Sequence, residues 1–494
     1  MPRRLLPLVL SAVLAACTTT VDNPVSGKAE RTVMDERGEI AQGREAHQQV
    51  LAEYGEVKDA RLQSYVADVG RRLAQHSHRA QLDWHFTVVD SPEINAFAVP
   101  GGYVYVTRGI MAFMESEADL AGVMGHEIGH VTARHSAQQA TRQQRAGLGV
   151  LAATLLGAVL ESRGVGGAGD FAQQISQGVA AGYIAKYSRE QELQADQLGA
   201  EYLARAGLDP HNMVDVIEVL KSQERFAADQ ARAEGRSPTD GPGWLDSHPS
   251  NDQRLRDITA IAERYRGQYG DDARDRYLRA IDGLPYGESR EQGVTRGRQF
   301  FHEPLGVALT APVGWKVQNS AEAIALVNGE GNAGLIVKLV PPQAGSSHED
   351  ILRNAVKAEQ GRTERRTLNG LAATHFSGTR RDERGQAQPV ELTVVTGPQG
   401  RAFVLVYAAA DASALQRAAR QIEEAESSFR PLAAADRVAA RPWTLRTVPF
   451  PRGGFAELAR RSPLPNAEQQ LRLLNGVYAS SKTPQPGQLV KVVE

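Results

Sequence analysis

The sequence predicts an α+β protein of several domains, and three observations carry that prediction. At 494 residues the chain exceeds what one hydrophobic core organises. Apolar residues recur at helical spacing in some stretches, and short β-rich runs bounded by turn residues fill others. The composition, 41% hydrophobic and 23% charged, excludes both wholesale disorder and a bundle of membrane spans. Fifty-six Lys and Arg against 58 Asp and Glu leave a net charge of −2. With no basic excess to displace counterions from phosphates, nucleic acid is not an expected partner. A single cysteine excludes intramolecular disulfides and Cys-based metal clusters, so a metal would be held by His and carboxylate.

The elements follow in chain order. Arg3 and Arg4, the apolar run Leu5 to Leu14, and Leu14-Ala15-Ala16-Cys17 form a charged, an apolar and a small-residue region in turn. That is the order of a processing signal. It resembles a bacterial lipoprotein signal over residues 1–17, which implies cleavage before Cys17, a lipid on that cysteine and, with Thr18 following it, an outer-membrane anchor facing the periplasm. Residues 35–75 carry Val50, Leu51, Tyr54, Leu62, Tyr65, Val66, Val69 and Leu73 at helical spacing. Residues 84–89 and 96–107 have strand composition, the latter around a Pro100-Gly101-Gly102 turn. Helical pattern returns over 115–144 and again over 190–205, closed by Gly207 and Pro210. Between them an apolar run, 147–160, is expected to be buried, and a glycine-rich loop follows at 164–169.

A first domain over 18–268 is followed by a charged, turn-rich linker, 269–299, and then by an α+β domain over 300–432 whose role is open. Its strands are expected at Gly306–Leu309, Ile324–Val327, Leu335–Val340, Val390–Val395 and Ala402–Tyr407, and its helices at Glu349–Glu359 and Ala412–Glu424. His302, His348 and His375 lack ligand spacing there. Residues 440–494 have the order strand, helix, helix, strand. Leu471-Arg472-Leu473-Leu474-Asn475-Gly476 and the closing Pro486-Gly487-Gln488 strand resemble a LysM module, with Arg452-Gly453-Gly454 where that module usually has a glycine-aspartate turn. From Arg430 onward ten Lys and Arg face four Asp and Glu, an excess suited to anionic envelope polymers such as peptidoglycan.

The chemistry concentrates in Gly125-His126-Glu127-Ile128-Gly129-His130. On a helix, residues four apart share a face, so His126 and His130 can aim two imidazoles at one cation. Glu127, about 100° round the helix, can then reach water at that cation and act as general base. A catalytic zinc usually has three protein ligands. Ser188-Arg189-Glu190-Gln191-Glu192-Leu193-Gln194-Ala195-Asp196 offers Glu190, Glu192 and Asp196, and spacing alone does not rank Glu190 below Glu192. His135, nine residues after His126, falls about 180° round a continuous helix, pointing away from the metal.

These segments, with Asn95-Ala96-Phe97-Ala98-Val99-Pro100-Gly101-Gly102 upstream, resemble metallopeptidase family 48, which includes CAAX prenyl proteases and BepA-type periplasmic proteases. The resemblance spans about residues 30–265 and implies a mostly helical gluzincin-type fold with a small edge-strand sheet. It implies one Zn²⁺ held by His126, His130 and Glu192, with Glu127 as catalytic base and Asp196 as supporting carboxylate. The Asn-Ala-Phe segment would be an edge strand on which an extended peptide could pair. Ser247-His248-Pro249 followed by Arg254 is similar to a further family signature, which gives His248 a role as zinc cap or oxyanion donor and Arg254 a site-ordering charge. The implied activity is zinc-dependent endopeptidase action on envelope proteins, misfolded or assembling outer-membrane proteins among them. The alternative is a periplasmic chaperone or cell-wall-binding adaptor with little proteolysis.

Overall fold

The computed structural model describes residues 19–142, 187–233, 235, 252–320, 323–381, 387–478 and 483–494. The expected signal with Cys17, the apolar run 147–160, the glycine-rich loop 164–169 and His248 all lie outside the described residues. The described residues form two units, one comprising 19–142, 187–286 and 443–494, the other 287–442.

The first unit begins with a short hairpin, β1 (Thr19–Asp22) and β2 (Ala29–Thr32). Helices α1 (Glu36–Tyr54) and α2 (Ala60–Ala74) follow. Asp35 and Asp59 cap them, each carboxylate accepting from a backbone N–H of the first turn. Strands β3 (His85–Val89), β4 (Ala96–Val99) and β5 (Tyr103–Thr107) form a sheet of order β3-β5-β4, with β3 parallel and β4 antiparallel to β5. The β4–β5 turn needs positive φ at Gly101 and Gly102, at 83° and 99°.

Next come α3 (Arg108–Phe113) and α4 (Glu117–Thr132). Ser116 caps α4 by accepting from the Asp119 N–H, and every residue of α4 is buried. A helix buried on every side lies at the centre of its fold, and α4 packs against α2, β4, α5 (Arg189–Arg205) and α6 (Asn212–Ala233). Helices α7 (Asp252–Ala262) and α8 (Arg274–Ile281) and the two-residue strand β6 (Pro285–Tyr286) complete this part. Among the described residues no helix is long and apolar enough to cross a membrane.

The second unit holds a four-stranded sheet and a seven-stranded antiparallel sheet. In the larger one, the strands at Ile324–Val327, Ala333–Leu339 and Ala402–Ala409 coincide with or contain much of what the sequence predicts. A helix over Ala412–Ser427 buries Ala418, Ile422 and Ala425 on one face, while Ile351, Leu352 and Val356 belong to a separate apolar cluster with Phe376 and Leu392. The helix expected over Glu349–Glu359 stops at Val356, because Lys357 takes a left-handed φ of 59° and the chain enters the strand Ala358–Leu368.

The C-terminal part has the expected element order, strand Trp443–Pro449, helices Gly454–Ala459 and Ala467–Leu474, and strand Leu489–Val493. It differs from expectation in its independence. The first strand pairs with the last, and also with β6 at Trp443↔Tyr286. Phe455, Leu471, Leu474 and Val490 lie in one buried cluster with Met111, Tyr277, Leu278 and Ile281 of the first unit. Helix α8, inside the expected linker, is likewise part of that core. Lys491 is fully buried there, donating to the Met114 carbonyl at 2.7 Å and pairing with Glu115 at 2.8 Å, just ahead of the cap of α4.

Candidate metal centre

Three glycines bring the site together. A Cβ on Gly129 of α4 would lie 2.9 Å from the Ala195 carbonyl oxygen of α5, and one on Gly199 would lie 3.0 Å from the His126 backbone nitrogen. Gly125 faces Gly199 Cα at 3.4 Å from where its Cβ would be. Without side chains at these points the two helices touch backbone to backbone, and the carboxylates of α5 reach the imidazoles of α4.

His126, His130 and Glu192 converge there, each buried, with ligand atoms all within 4.8 Å of one another. The two Nε2 atoms are 3.0 Å apart, and the Glu192 oxygens lie 3.5 Å from His126 Nε2 and 3.4 Å from His130 Nε2. His126 Nδ1 donates to Asp196 Oδ1 at 2.8 Å, which leaves its Nε2 with a lone pair. An imidazole lone pair beside a second imidazole nitrogen and a buried carboxylate makes a donor set of two nitrogens and an oxygen, which suits Zn²⁺. Glu190, the acid left open by spacing, is exposed on the outer side of α5.

Arg254 of α7 closes the arrangement. Its Nε and Nη2 donate to the two oxygens of Asp196, both at 2.9 Å, and its Nη1 lies 3.0 Å from Glu192 Oε2. Burial alone would raise the pKa of Asp196, but the Arg254 guanidinium and His126 outweigh it and hold that carboxyl well below the usual range. Burial also opposes a charge on His130 and drives its pKa well below the ordinary value, while on His126 the Asp196 and Glu192 carboxylates overcome burial and raise it. Glu127 is buried on α4 between the two histidines.

Residues 60–262 match the description Peptidase family M48. The chain carries an M48 peptidase domain. Beta-barrel assembly-enhancing protease of Yersinia pestis is 30% identical over 276 residues, 51% of this chain and 54% of that protein. Its counterpart of the same name in Escherichia coli K12 is 31% identical over 226 residues, 45% and 43% of the two chains. Mitochondrial metalloendopeptidase OMA1 of Schizosaccharomyces pombe is 29% identical over 244 residues, 48% and 64%. The chain spans about half the length of the curated relatives it matches.

Within the M48 domain, β4 lies at an edge of its sheet. His135 stands against its expected position. Helix α4 ends at Thr132, Arg134 adopts a left-handed φ of 60°, and helix resumes at 135. That reversal brings His135 Nδ1 to 2.9 Å from His130 Nδ1 instead of to the far side. Arg134 is fixed in this conformation by Glu39 at 2.9 Å and the Met34 carbonyl at 2.8 Å. Tyr187 stacks on the His130 ring at 3.9 Å between centroids. Neither His135 nor Tyr187 has a spacing signal that marks it as a neighbour of His130. Only the failure of a continuous 3.6-residue period at Arg134 separates the two histidine positions, and arginine carries no cue to a left-handed turn.

Proposed function

We propose that this chain is a zinc-dependent endopeptidase of the bacterial periplasm, held to the outer membrane by a lipid on Cys17 and acting on envelope proteins. The observation that supports the reading is the meeting of His126, His130 and Glu192 beside a buried Glu127 on the same helix as the two histidines. When bound, zinc supplies a Lewis acid that makes water a nucleophile at neutral pH. Glu127 takes the proton from that water as it attacks a peptide carbonyl, then gives it to the departing amine nitrogen. Asp196 orients His126, and Arg254 keeps Asp196 ionised. His248 is assigned to the substrate side, as zinc cap or oxyanion donor, and an extended peptide would add as a strand along β4. The matched relatives named for β-barrel assembly support assembling or misfolded outer-membrane proteins as substrates. The LysM-like segment 440–494, in the basic stretch that begins at Arg430, is assigned a contact with peptidoglycan.

The test is zinc analysis of the purified chain together with casein cleavage by wild type and Glu127→Gln. The substitution keeps the side chain's shape and removes its basicity, so one zinc per chain should remain while hydrolysis is lost. Chelator-sensitive cleavage by Glu127→Gln at the wild-type rate would overturn the assignment.

A further inference from the structure

We propose that His135 is a positioning residue that, with Gln194 behind it, sets the tautomer and ring orientation of His130. The inference rests on the metal-centre reading above and adds a residue to it. His135 is completely buried, its ring meets that of His130 edge-on at 73° with centroids 4.9 Å apart, and the two Nδ1 atoms are 2.9 Å apart. Two imidazole nitrogens at that distance share one proton, so one donates and the other accepts.

Gln194 decides which. Its Oε1 lies 2.9 Å from His135 Nε2, and a carbonyl oxygen only accepts, so His135 carries its hydrogen on Nε2 and presents a lone pair at Nδ1. His130 must then donate from Nδ1, which leaves its Nε2 lone pair facing the Nε2 of His126 and the carboxylate of Glu192. Both ligand histidines are thus oriented by helix α5, which carries Glu192 itself, Gln194 acting through His135, and Asp196 acting on His126. The two arms differ in charge. His126 leans on an anion that Arg254 balances, whereas His130 leans on a neutral ring and a neutral amide. A neutral partner fixes geometry without adding negative charge to the centre, which leaves a bound cation the stronger Lewis acid.

The experiment compares two replacements in the full chain, His135→Asn and His135→Phe, by zinc affinity in chelator competition and by the visible spectrum of the Co²⁺-loaded protein. Asparagine places Oδ1 where Nδ1 stood and can accept from His130, while phenylalanine fills the ring's volume and accepts nothing. Zinc affinity should fall about 10- to 100-fold for Phe, with an altered Co²⁺ spectrum, and stay within about 3-fold of wild type for Asn. A packing role predicts the reverse order. Phe binding as wild type does, or Asn binding as poorly as Phe, would overturn the proposal. If the Phe variant does not fold, Gln194→Leu asks the same question, with a smaller loss expected and none overturning it. A wild-type chain that binds no zinc at one equivalent defeats the metal-centre reading itself, a separate result from equal binding by all variants.

Discussion

Replacing Gly129 by Ala tests whether the contact between α4 and α5 is what places Glu192. The new Cβ would sit 2.9 Å from Ala195 O, 3.1 Å from Ala195 Cα and 3.3 Å from Leu198 Cβ. None of these is the far end of a flexible side chain, so relief must come from the helices moving apart. Restoring ordinary contact at about 3.5 Å requires about 0.6 Å of separation. A metal site tolerates about 0.2 Å in its ligand distances, so the shift exceeds the tolerance. Global stability should change little, because the helix propensity gained by Ala, about 1 kcal/mol, offsets much of an overpacking cost of about 1–3 kcal/mol. Zinc affinity should fall about 10-fold or more, and each 10-fold should remove about 1.4 kcal/mol of the stabilisation that saturating zinc confers. Chelator competition and thermal melts with and without zinc measure both. A Gly129→Ala chain with wild-type zinc affinity and an unchanged zinc-induced shift in Tm would show that the close approach of the helices is not what sets the carboxylate.

Three further outcomes follow from the same packing. Arg254→Met leaves Asp196 and Glu192 as buried anions without their guanidinium, so it should destabilise the chain by about 3–5 kcal/mol in chelator and by less with zinc, whose charge compensates; equal losses in the two melts would refute this. Asp119, buried at the start of α4 with Asp215 and Glu115 nearby, has its pKa pushed up to about 7 by burial. A carboxyl with a raised folded pKa favours folding while protonated, and that contribution is lost as pH rises from the unfolded value of 3.8 through 7. Asp119→Asn should therefore gain on wild type by a few kcal/mol, at about 1.4 kcal/mol per pH unit, between about pH 4 and 7 in urea melts, with the gap level above that, and a pH-independent gap would refute it. Lys491→Met keeps the buried stem but strands the Met114 carbonyl, and should cost about 1–3 kcal/mol in the same transition that unfolds the M48 domain; separate melting of the C-terminal segment would contradict the shared core.

Much of this site was legible because its cues are local. The spacing of His126 and His130 on a helix, the acids of 190–196 on the next, and the strand around Pro100-Gly101-Gly102 each fall within one element. What stayed hidden depends on distant partners or on a single backbone angle. Helix α5 was expected, but the choice between Glu190 and Glu192 depends on which face meets α4. A continuous helical period puts His135 on the far side of a helix that breaks at Arg134. The strand Ala358–Leu368 is largely exposed and reads Ala-Glu-Gln-Gly-Arg-Thr-Glu-Arg-Arg-Thr-Leu, with no apolar alternation to mark it as a strand. The merging of 443–494 into the first core could not be seen either, since a buried lysine and a set of core leucines carry no mark of which partner they will meet.

The pairing of Tyr286 with Trp443 has a consequence for how such a chain can be edited. Everything from 287 to 442 leaves and re-enters between two residues that are already neighbours in a ladder, so that stretch is topologically a long excursion from a hairpin. Cutting it out and joining Tyr286 to Trp443 through a two- to five-residue turn, about the span such turns bridge, calls for no rearrangement of the remaining polypeptide. The same junction offers a place to graft a reporter or an unrelated cargo without opening the unit that holds His126, His130 and Glu192.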